Sequence, residues 1–296
     1  QSSEDRETDL PHYLADFPYV NGGLFKDDIQ VPKFTRKSRR ILIECGAELD
    51  WSDINPDIFG SMIQAVVIDE YRSDLGMHYT SVPNILKLIK PLFLDELYEE
   101  FEKSKESVKK LRELMIRLSK IKFFDPACGS GNFLIITYKE IRLLEIEILK
   151  QIIELEQSHL WIDSVISLEQ FYGIEIDDFA HEVAILSLWL AEHQMNQYFE
   201  EQLEGFTDHK SIIPLKKSGT IIQGNAIRVD WQNVCPILKK DEVYIIGNPP
   251  YLGSRNQEAS HKEDMSFIFK GIRSYKILDY ITCWFYKGCL FIKDKN

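Results

Sequence analysis

The fold of this chain is decided by the stretch IKFFDPACGSGNF, residues 121–133. Its first four residues are mostly apolar and predict a short buried strand, with Asp125 at the strand tip. Gly129 and Gly131 let the backbone turn tightly and approach a ligand. A helix is predicted next, and its free N–H groups would face the same ligand. An acid at the strand tip suits a ligand that bears an ammonium group rather than a phosphate.

The glycine spacing of this loop differs from that of a dinucleotide site. Leu134 stands where the third glycine of a GxGxxG pattern would be. Taken alone, a glycine loop of this kind is equally typical of a tight turn between a strand and a helix. Its interpretation therefore depends on the rest of the chain.

Helix-like and strand-like segments alternate on both sides of this stretch. Apolar residues at steps of three and four predict helices over residues 82–118, 141–155, 179–198 and 280–291. Short apolar runs predict strands at residues 122–124, 171–175, 220–222 and 243–246. The alternation predicts an α/β fold with a doubly wound parallel sheet. Ligands of such a sheet bind where the loops after the strands converge.

An acid, Glu175, ends the second predicted strand. A carboxylate at this place can accept both hydroxyl groups of a ribose. Glu175 lies much further from Asp125 than the roughly 20 residues of the dinucleotide fingerprint, and the long intervening helix accounts for the surplus. The alternative is an exposed acid at a strand end without a ligand.

The turn Asn248-Pro249-Pro250-Tyr251 follows the fourth predicted strand. Its two prolines make the backbone rigid and remove two N–H donors. The Pro249 carbonyl and the Asn248 side-chain oxygen can then accept hydrogen bonds from both N–H groups of one exocyclic amine. These two bonds make the amine nitrogen nucleophilic. Tyr251 offers a flat face on which an extruded base can stack. The alternative is a rigid turn with a structural role only.

The charge and cysteine content limit the classes of function. The net charge of −12 shows that the chain as a whole is not an electrostatic binder of nucleic acid. Residues 33–40 hold five cations and no acid, so they form either a solvated face or a contact with phosphates. The five cysteines are scattered without a CxxC or Cys/His pattern, so we expect neither a disulfide framework nor a metal site. Reduced thiols fit a cytosolic compartment.

Together these motifs resemble the gamma class of DNA adenine-N6 methyltransferases. The leading segment Gly76–Ser81, the loop Asp125–Phe133, the strand Gly173–Asp177 and the turn Asn248–Tyr251 match that class in content and order. The resemblance implies a Rossmann-like class I methyltransferase domain over 76–296 and S-adenosyl-L-methionine as cofactor. It predicts cofactor contacts at Thr80, Asp125, Ala127, Cys128, Gly129, Gly131, Glu175, Ile176, Asn225, Ala226 and Trp284. Asn225 departs from the class, which usually has Asp at that place, although the Asn amide oxygen can still accept a hydrogen bond.

The front of the chain is similar to single-chain restriction–modification enzymes of types IIL and IIG. The resemblance rests on residues Phe17–Phe25, Ile58–Ser61 and His78–Thr80. It implies that residues 1–75 are a helical N-terminal extension or connector. It also leads us to expect an excised piece, with a nuclease upstream and a recognition domain and later methyltransferase motifs downstream. The implied setting is the bacterial cytoplasm, without a membrane.

The predicted function is methyl transfer from S-adenosyl-L-methionine to a flipped-out adenine N6 in DNA. The predicted catalytic residues are Asn248, Pro249, Pro250 and Tyr251. Other substrates stay open, namely cytosine N4, guanine of ribosomal RNA and the side-chain amide of a protein glutamine. A further alternative is that the chain binds the cofactor but is inactive by itself.

Overall fold

The computed structural model of the protein describes residues 33–47, 58, 80–156, 163–206, 220–238 and 241–293. Most of the predicted N-terminal extension lies outside the described residues, as does the leading segment from Gly76 to Tyr79. The described part of the extension includes one helix, α1 (Arg36–Ala47), which holds most of the basic run. The predicted domain boundary between residues 75 and 76 therefore stays a prediction.

The rest of the described chain alternates between helices and strands. The order is α2 (Val82–Ile89), a π-helical turn (Lys90–Leu94), α3 (Asp95–Ser104), α4 (Val108–Leu118), β1 (Ile121–Asp125), α5 (Asn132–Glu156), a 3₁₀ turn (Leu168–Gln170), β2 (Phe171–Glu175), α6 (Asp178–Gln202), β3 (Thr220–Gln223), α7 (Trp231–Val234), β4 (Glu242–Ile245), α8 (Ala259–Ile268), a second 3₁₀ turn (Tyr275–Ile277) and α9 (Thr282–Ile292). None of the described helices is long and apolar enough to cross a membrane.

The four strands form one parallel sheet in the order β3-β2-β1-β4. Phe123 in β1 lies opposite Phe171 in β2 and Tyr244 in β4. This arrangement confirms the predicted α/β fold with a parallel sheet. Because all four strands run the same way, the loops that follow them leave the sheet at one edge. The loop after β1 is flanked on both sides by the loops after β2 and β4.

The sheet separates two apolar cores, and β1 contributes to both. Phe123 and Phe124 are each 0% exposed, and they point to opposite faces because side chains alternate along a strand. Phe123 belongs to the core formed with α2 to α6, whereas Phe124 belongs to the core formed with α7, α8 and α9. Helices therefore cover both faces of the sheet, as in a doubly wound fold.

The helical pattern predicted over residues 82–118 is not one continuous helix. Pro91 lies in the π-helical turn between α2 and α3, and a proline there removes one of the N–H donors of the helix. The helix ends at Ser104, and α4 restarts after Ser107, whose side chain accepts the Lys110 N–H at 3.5 Å. The prediction of helical structure was right, but apolar periodicity did not reveal these two interruptions.

We expect Phe123→Ala to lower the free energy of unfolding by about 3 kcal/mol or more, because it leaves a cavity in a closely packed core. The ring of Phe123 lies 5.1 Å from the rings of both Phe93 and Phe171, measured between centroids. Urea unfolding followed by circular dichroism measures the change. The matched control is Phe285→Ala, because Phe285 is 66% exposed. A comparable loss in both variants would contradict this description of the core.

Candidate active site

Backbone hydrogen bonds tie together the loops at the carboxyl edge of the sheet. The Cys128 N–H donates to Ile174 O at 3.1 Å, which joins the loop after β1 to β2. The Gly224 N–H donates to Glu175 O at 2.7 Å, which joins the end of β2 to the loop after β3. The edge predicted to bind a ligand is therefore a connected surface.

Asp125 lies at the centre of this edge and is 1% exposed. Its Oδ1 accepts the Ala127 N–H at 3.0 Å. Its Oδ2 is buried and has no hydrogen-bond partner within the described part of the chain. Burial raises the pKa of Asp125 to about 8, and the nearby charge of Glu175 acts in the same direction. The carboxyl group thus has one oxygen available for a cationic or hydrogen-donating group.

The glycine loop takes the tight turn that its sequence predicted. Gly129 and Gly131 have φ angles of +55° and +86°, which residues with a side chain rarely adopt. A Cβ atom on Gly131 would also lie 3.3 Å from the Cβ of Ala184 in α6. Cys128 is buried, and burial raises the pKa of its thiol well above the ordinary value. Its side chain therefore packs as a neutral group, and its contribution to binding would come from the backbone.

The Glu175 carboxylate accepts hydrogen bonds from the loop after β1 and from the loop after β2. Its Oε2 accepts the Gly129 N–H at 2.7 Å, and its Oε1 accepts the N–H groups of Ile176 and Asp177, both at 2.9 Å. Burial raises its pKa, although these three N–H groups oppose the shift. Since a carboxylate has four lone pairs, one on Oε2 remains for a ligand. The next side chain, Ile176, is 55% exposed beside it.

The loop after β3 places Asn225 in a fixed orientation. Its Oδ1 accepts the Ile227 N–H at 2.8 Å, and its Nδ2 donates to Oδ2 of Asp264 at 2.8 Å. Ala226 is buried, and its carbonyl accepts the indole N–H of Trp231 at 2.8 Å. One lone pair of Asn225 Oδ1 therefore remains for a ligand.

Trp284, predicted to contact the cofactor, supports the loop after β1. Its indole N–H donates to the carbonyl oxygen of Pro126 at 3.0 Å, and its ring lies edge-on to Tyr280 with centroids 5.2 Å apart. Both side chains are largely buried. The structure thus gives Trp284 a contact with the loop, while its predicted contact with the cofactor stays a prediction.

The turn after β4 meets the start of α2. The Asn248 amide nitrogen donates to the Thr80 hydroxyl at 3.2 Å, across a separation of 168 residues. Within the described part of the chain, this bond leaves the Asn248 side-chain oxygen available as an acceptor. Asn248 is exposed, Pro249 and Pro250 are half-buried, and Tyr251 is 60% exposed. Two motifs singled out in the sequence are therefore in contact.

The segment after the turn is held by three residues, of which sequence reasoning missed Asp279 and Gln257 and pointed only to Tyr280. Asp279 Oδ1 accepts the Leu252 N–H at 2.8 Å, and the Tyr280 N–H donates to Leu252 O at 3.0 Å. The buried Gln257 side chain donates to the same carbonyl at 3.0 Å. Asp279 and Gln257 belong to no motif, and only their tertiary contacts reveal their role.

The predicted site residues thus form two contacting groups at one edge of the sheet. The first group surrounds Asp125 and Glu175, and the second pairs Thr80 with Asn248. Gly247 links the groups, because the position of a Cβ atom on it would be 2.3 Å from Asp125 Oδ1. No group of three or more His, Cys, Asp or Glu side chains that could hold a metal ion occurs among the described residues.

Comparison with known proteins identifies similar sequences and similar structures. The family model for the MmeI DNA-methyltransferase domain matches residues 101–296. DNA methyltransferase A of Bacillus subtilis (strain 168) is 54% identical over 293 residues, which cover 99% of this chain and 33% of that protein. A putative type II restriction enzyme and methyltransferase of Methanocaldococcus jannaschii is 30% identical over 225 residues, or 60% of this chain and 19% of that protein.

A similar structure is that of the type IIL restriction–modification enzyme MmeI in complex with DNA. It matches with a TM-score of 0.86 and 42% identity, covering 98% of this chain and 38% of that one. The chain therefore spans about a third of the length of these two better-matched relatives.

We expect Gly247→Ala to lower the free energy of unfolding by about 2 kcal/mol or more. Gly247 has a φ angle of +142°, and a methyl group there would meet the Asp125 carboxyl group at 2.3 Å. Thermal unfolding measures the change. Gly253→Ala is the matched control, since a Cβ atom at Gly253 meets nothing within 4 Å. Equal stability of the two variants would show that Gly247 is not pressed against Asp125.

Proposed function

Because the chain belongs to the family of MmeI DNA-methyltransferase domains, we propose that it transfers a methyl group from S-adenosyl-L-methionine to adenine N6 in DNA. The proposed setting is a bacterial restriction–modification protein in the cytoplasm. The observation that carries the proposal is the contact of Asn248 with Thr80, beside the edge that holds Asp125 and Glu175. This contact supports the proposal because methyl transfer would need the turn and that edge to lie side by side.

The residues at this edge fit the cofactor group by group. The buried, unpartnered Oδ2 of Asp125 suits the ammonium group of the methionine part. The remaining lone pair of Glu175 suits a ribose hydroxyl, and the exposed side chain of Ile176 suits one face of the adenine ring. Asn225 would accept from the adenine amine with its remaining lone pair. When bound, the cofactor supplies an electrophilic methyl group on a sulfonium.

The turn after β4 would hold the amine that receives the methyl group. The side-chain oxygen of Asn248 and the carbonyl oxygen of Pro249 accept its two hydrogens and keep its lone pair directed at the methyl group. Tyr251 provides a stacking face for the extruded base. The nitrogen held there would take the methyl group that the cofactor supplies, and it would then release one of its protons to solvent. Catalysis of this kind depends on positioning and preorganised acceptors.

The charge of the chain limits how it would bind DNA. A net charge of −12 opposes association with a polyanion unless cations are concentrated at the contact. The exposed cations Lys33, Arg36 and Lys37, which lie just before α1 and in its first turn, are the candidates for such a contact with phosphates. We propose that target recognition involves more of the longer protein than this chain, which spans 33% of its Bacillus subtilis relative.

In the full-length protein, we expect Asn248→Ala to reduce methyl transfer by about a hundredfold or more, as for the loss of a preorganised catalytic group. Its affinity for S-adenosylhomocysteine should stay within about threefold, because Asn248 belongs to the substrate side of the site. Transfer of tritiated methyl groups and isothermal titration give these two quantities. The matched control is Asn256→Ala, an exposed amide in the loop that follows the turn.

The choice of acceptor decides between the open alternatives. The wild-type protein is offered four acceptors in separate assays. They are duplex DNA that contains adenine, DNA that contains cytosine but no adenine, ribosomal RNA, and a protein that contains glutamine. Adenine-dependent labelling supports the proposal, and labelling of another substrate replaces it. Cofactor binding without transfer to any of them would leave a binding role alone. Normal transfer by Asn248→Ala would refute the proposed amine clamp.

We expect cofactor binding to release a proton near pH 7. The pKa of Asp125 is about 8 in the protein without ligand, so the carboxyl group is mostly protonated at that pH. An ammonium partner stabilises the carboxylate and lowers this pKa, so affinity should rise as pH increases from about 6 to 7.5. Titration in two buffers of different ionisation enthalpy counts the protons. Asp125→Asn should bind more weakly and release none; the same release from that variant would exclude Asp125.

A further inference from the structure

A buried carboxylate on α8 gathers three donors from two different parts of the site. Asp264 is 5% exposed. Its Oδ2 accepts from Asn225 Nδ2 and from the Tyr280 hydroxyl, both at 2.8 Å. Its Oδ1 accepts from Arg228 Nε at 2.5 Å. Both oxygens are thus used within the protein, and Asp264 has no exposed face on which to bind a ligand by itself.

The two bonds of Asn225 allow only one orientation of its amide. The oxygen faces a donor, the Ile227 N–H, and the nitrogen faces an acceptor, the Asp264 carboxylate. A flipped amide would place its oxygen against the carboxylate and its NH₂ group against the N–H. Both contacts would then be repulsive, so the flipped form loses two hydrogen bonds, one of them to a charged group.

Asp264 also connects this loop to the turn that follows β4. The Tyr280 hydroxyl donates to Asp264, while the backbone N–H of the same residue donates to Leu252 O at 3.0 Å. Leu252 directly follows the last residue of the Asn248–Tyr251 turn. The carboxylate therefore lies between the loop that carries Asn225 and the segment that anchors the turn.

We propose that Asp264 is a positioning residue that fixes the Asn225 amide with its oxygen available to the adenine amine of the cofactor. The proposal rests on the proposed function, in which Asn225 makes that contact. The class that the sequence resembles usually has an acid at the position of Asn225. In this chain the loop after β3 carries the amide Asn225, and the acid that pairs with it, Asp264, lies on α8. Asp264 touches neither cofactor nor substrate and acts through Asn225.

Exchanging the side chains at positions 225 and 264 tests whether Asp264 orients the Asn225 amide. Asn225→Asp alone places a second carboxylate 2.8 Å from the first, and the repulsion should weaken binding of S-adenosylhomocysteine by about tenfold or more. Asp264→Asn alone leaves one acceptor oxygen where the carboxylate had two, although Asn225 and Arg228 donate to different oxygens. This change should weaken binding of S-adenosylhomocysteine by about threefold or more. The double variant Asn225→Asp/Asp264→Asn restores one acid and one amide.

We expect the double variant to bind within about threefold of wild type, so that two harmful changes compensate each other. Isothermal titration in the full-length protein measures affinity, and thermal unfolding is recorded in parallel. Glu263→Gln removes an exposed acid from the same helix and serves as the charge control, with unchanged affinity expected. A role in stability alone would change the unfolding temperature without this pattern of loss and rescue in affinity.

Several results would overturn the proposal. Wild-type affinity in Asn225→Asp refutes it, and so does a double variant as weak as the two single effects combined. If Asp264→Asn does not fold, Asn225→Asp decides the question by itself. If the wild-type protein binds S-adenosylhomocysteine, an unchanged affinity in Asn225→Asp or a failure of rescue in the double variant refutes only the role of Asp264. Absence of binding to the wild-type protein refutes the proposed function together with this inference.

Discussion

The burial of one carboxyl group at the tip of the central strand constrains the whole site. Asp125 is 1% exposed, and it can stay there only if its neighbours leave room for it. A side chain at position 247 would collide with it, so β4 must leave the sheet through a glycine at a φ angle of +142°. The course of β4 into the Asn248 turn is thus set by the space that Asp125 requires. A packing constraint at Asp125 therefore helps to fix where the Asn248 turn begins.

Helix α9 holds the loops after β1 and β3 by their backbone carbonyls. Trp284 binds the Pro126 carbonyl, while Lys287 donates to the carbonyls of Ala226, Ile227 and Val229. Burial lowers the pKa of Lys287 to about 8. Because carbonyl oxygens are present whatever side chain a residue carries, these bonds fix the path of each loop and leave its side chains for other roles. This explains why Trp284, predicted as a ligand contact, has its polar edge turned toward protein.

The parts of the site that follow strands could be predicted from sequence, because parallel strands bring their exits to one edge. These predictable parts are the four strands, the glycine loop and the positions of Glu175 and Asn248. Apolar periodicity is continuous through Pro91, so it could not predict the interruption of the helix there. Asp264 also lies in an ordinary helix without a motif, and its role comes from contacts with distant residues. Sequence patterns report local structure and strand ends, whereas such buried polar contacts depend on the tertiary fold.

The turn after β4 is held by hydrogen bonds on both of its sides. The Ile246 N–H before it donates to Phe124 O at 2.9 Å, and Leu252 after it is held by Asp279 and Tyr280. Between these fixed points, two prolines restrict the backbone. The freedom that remains is mainly the rotation of the Asn248 side chain, and its bond to Thr80 limits that rotation. If the turn holds an amine as proposed, most of the ordering of the Asn248 oxygen is therefore achieved on folding, before the amine binds.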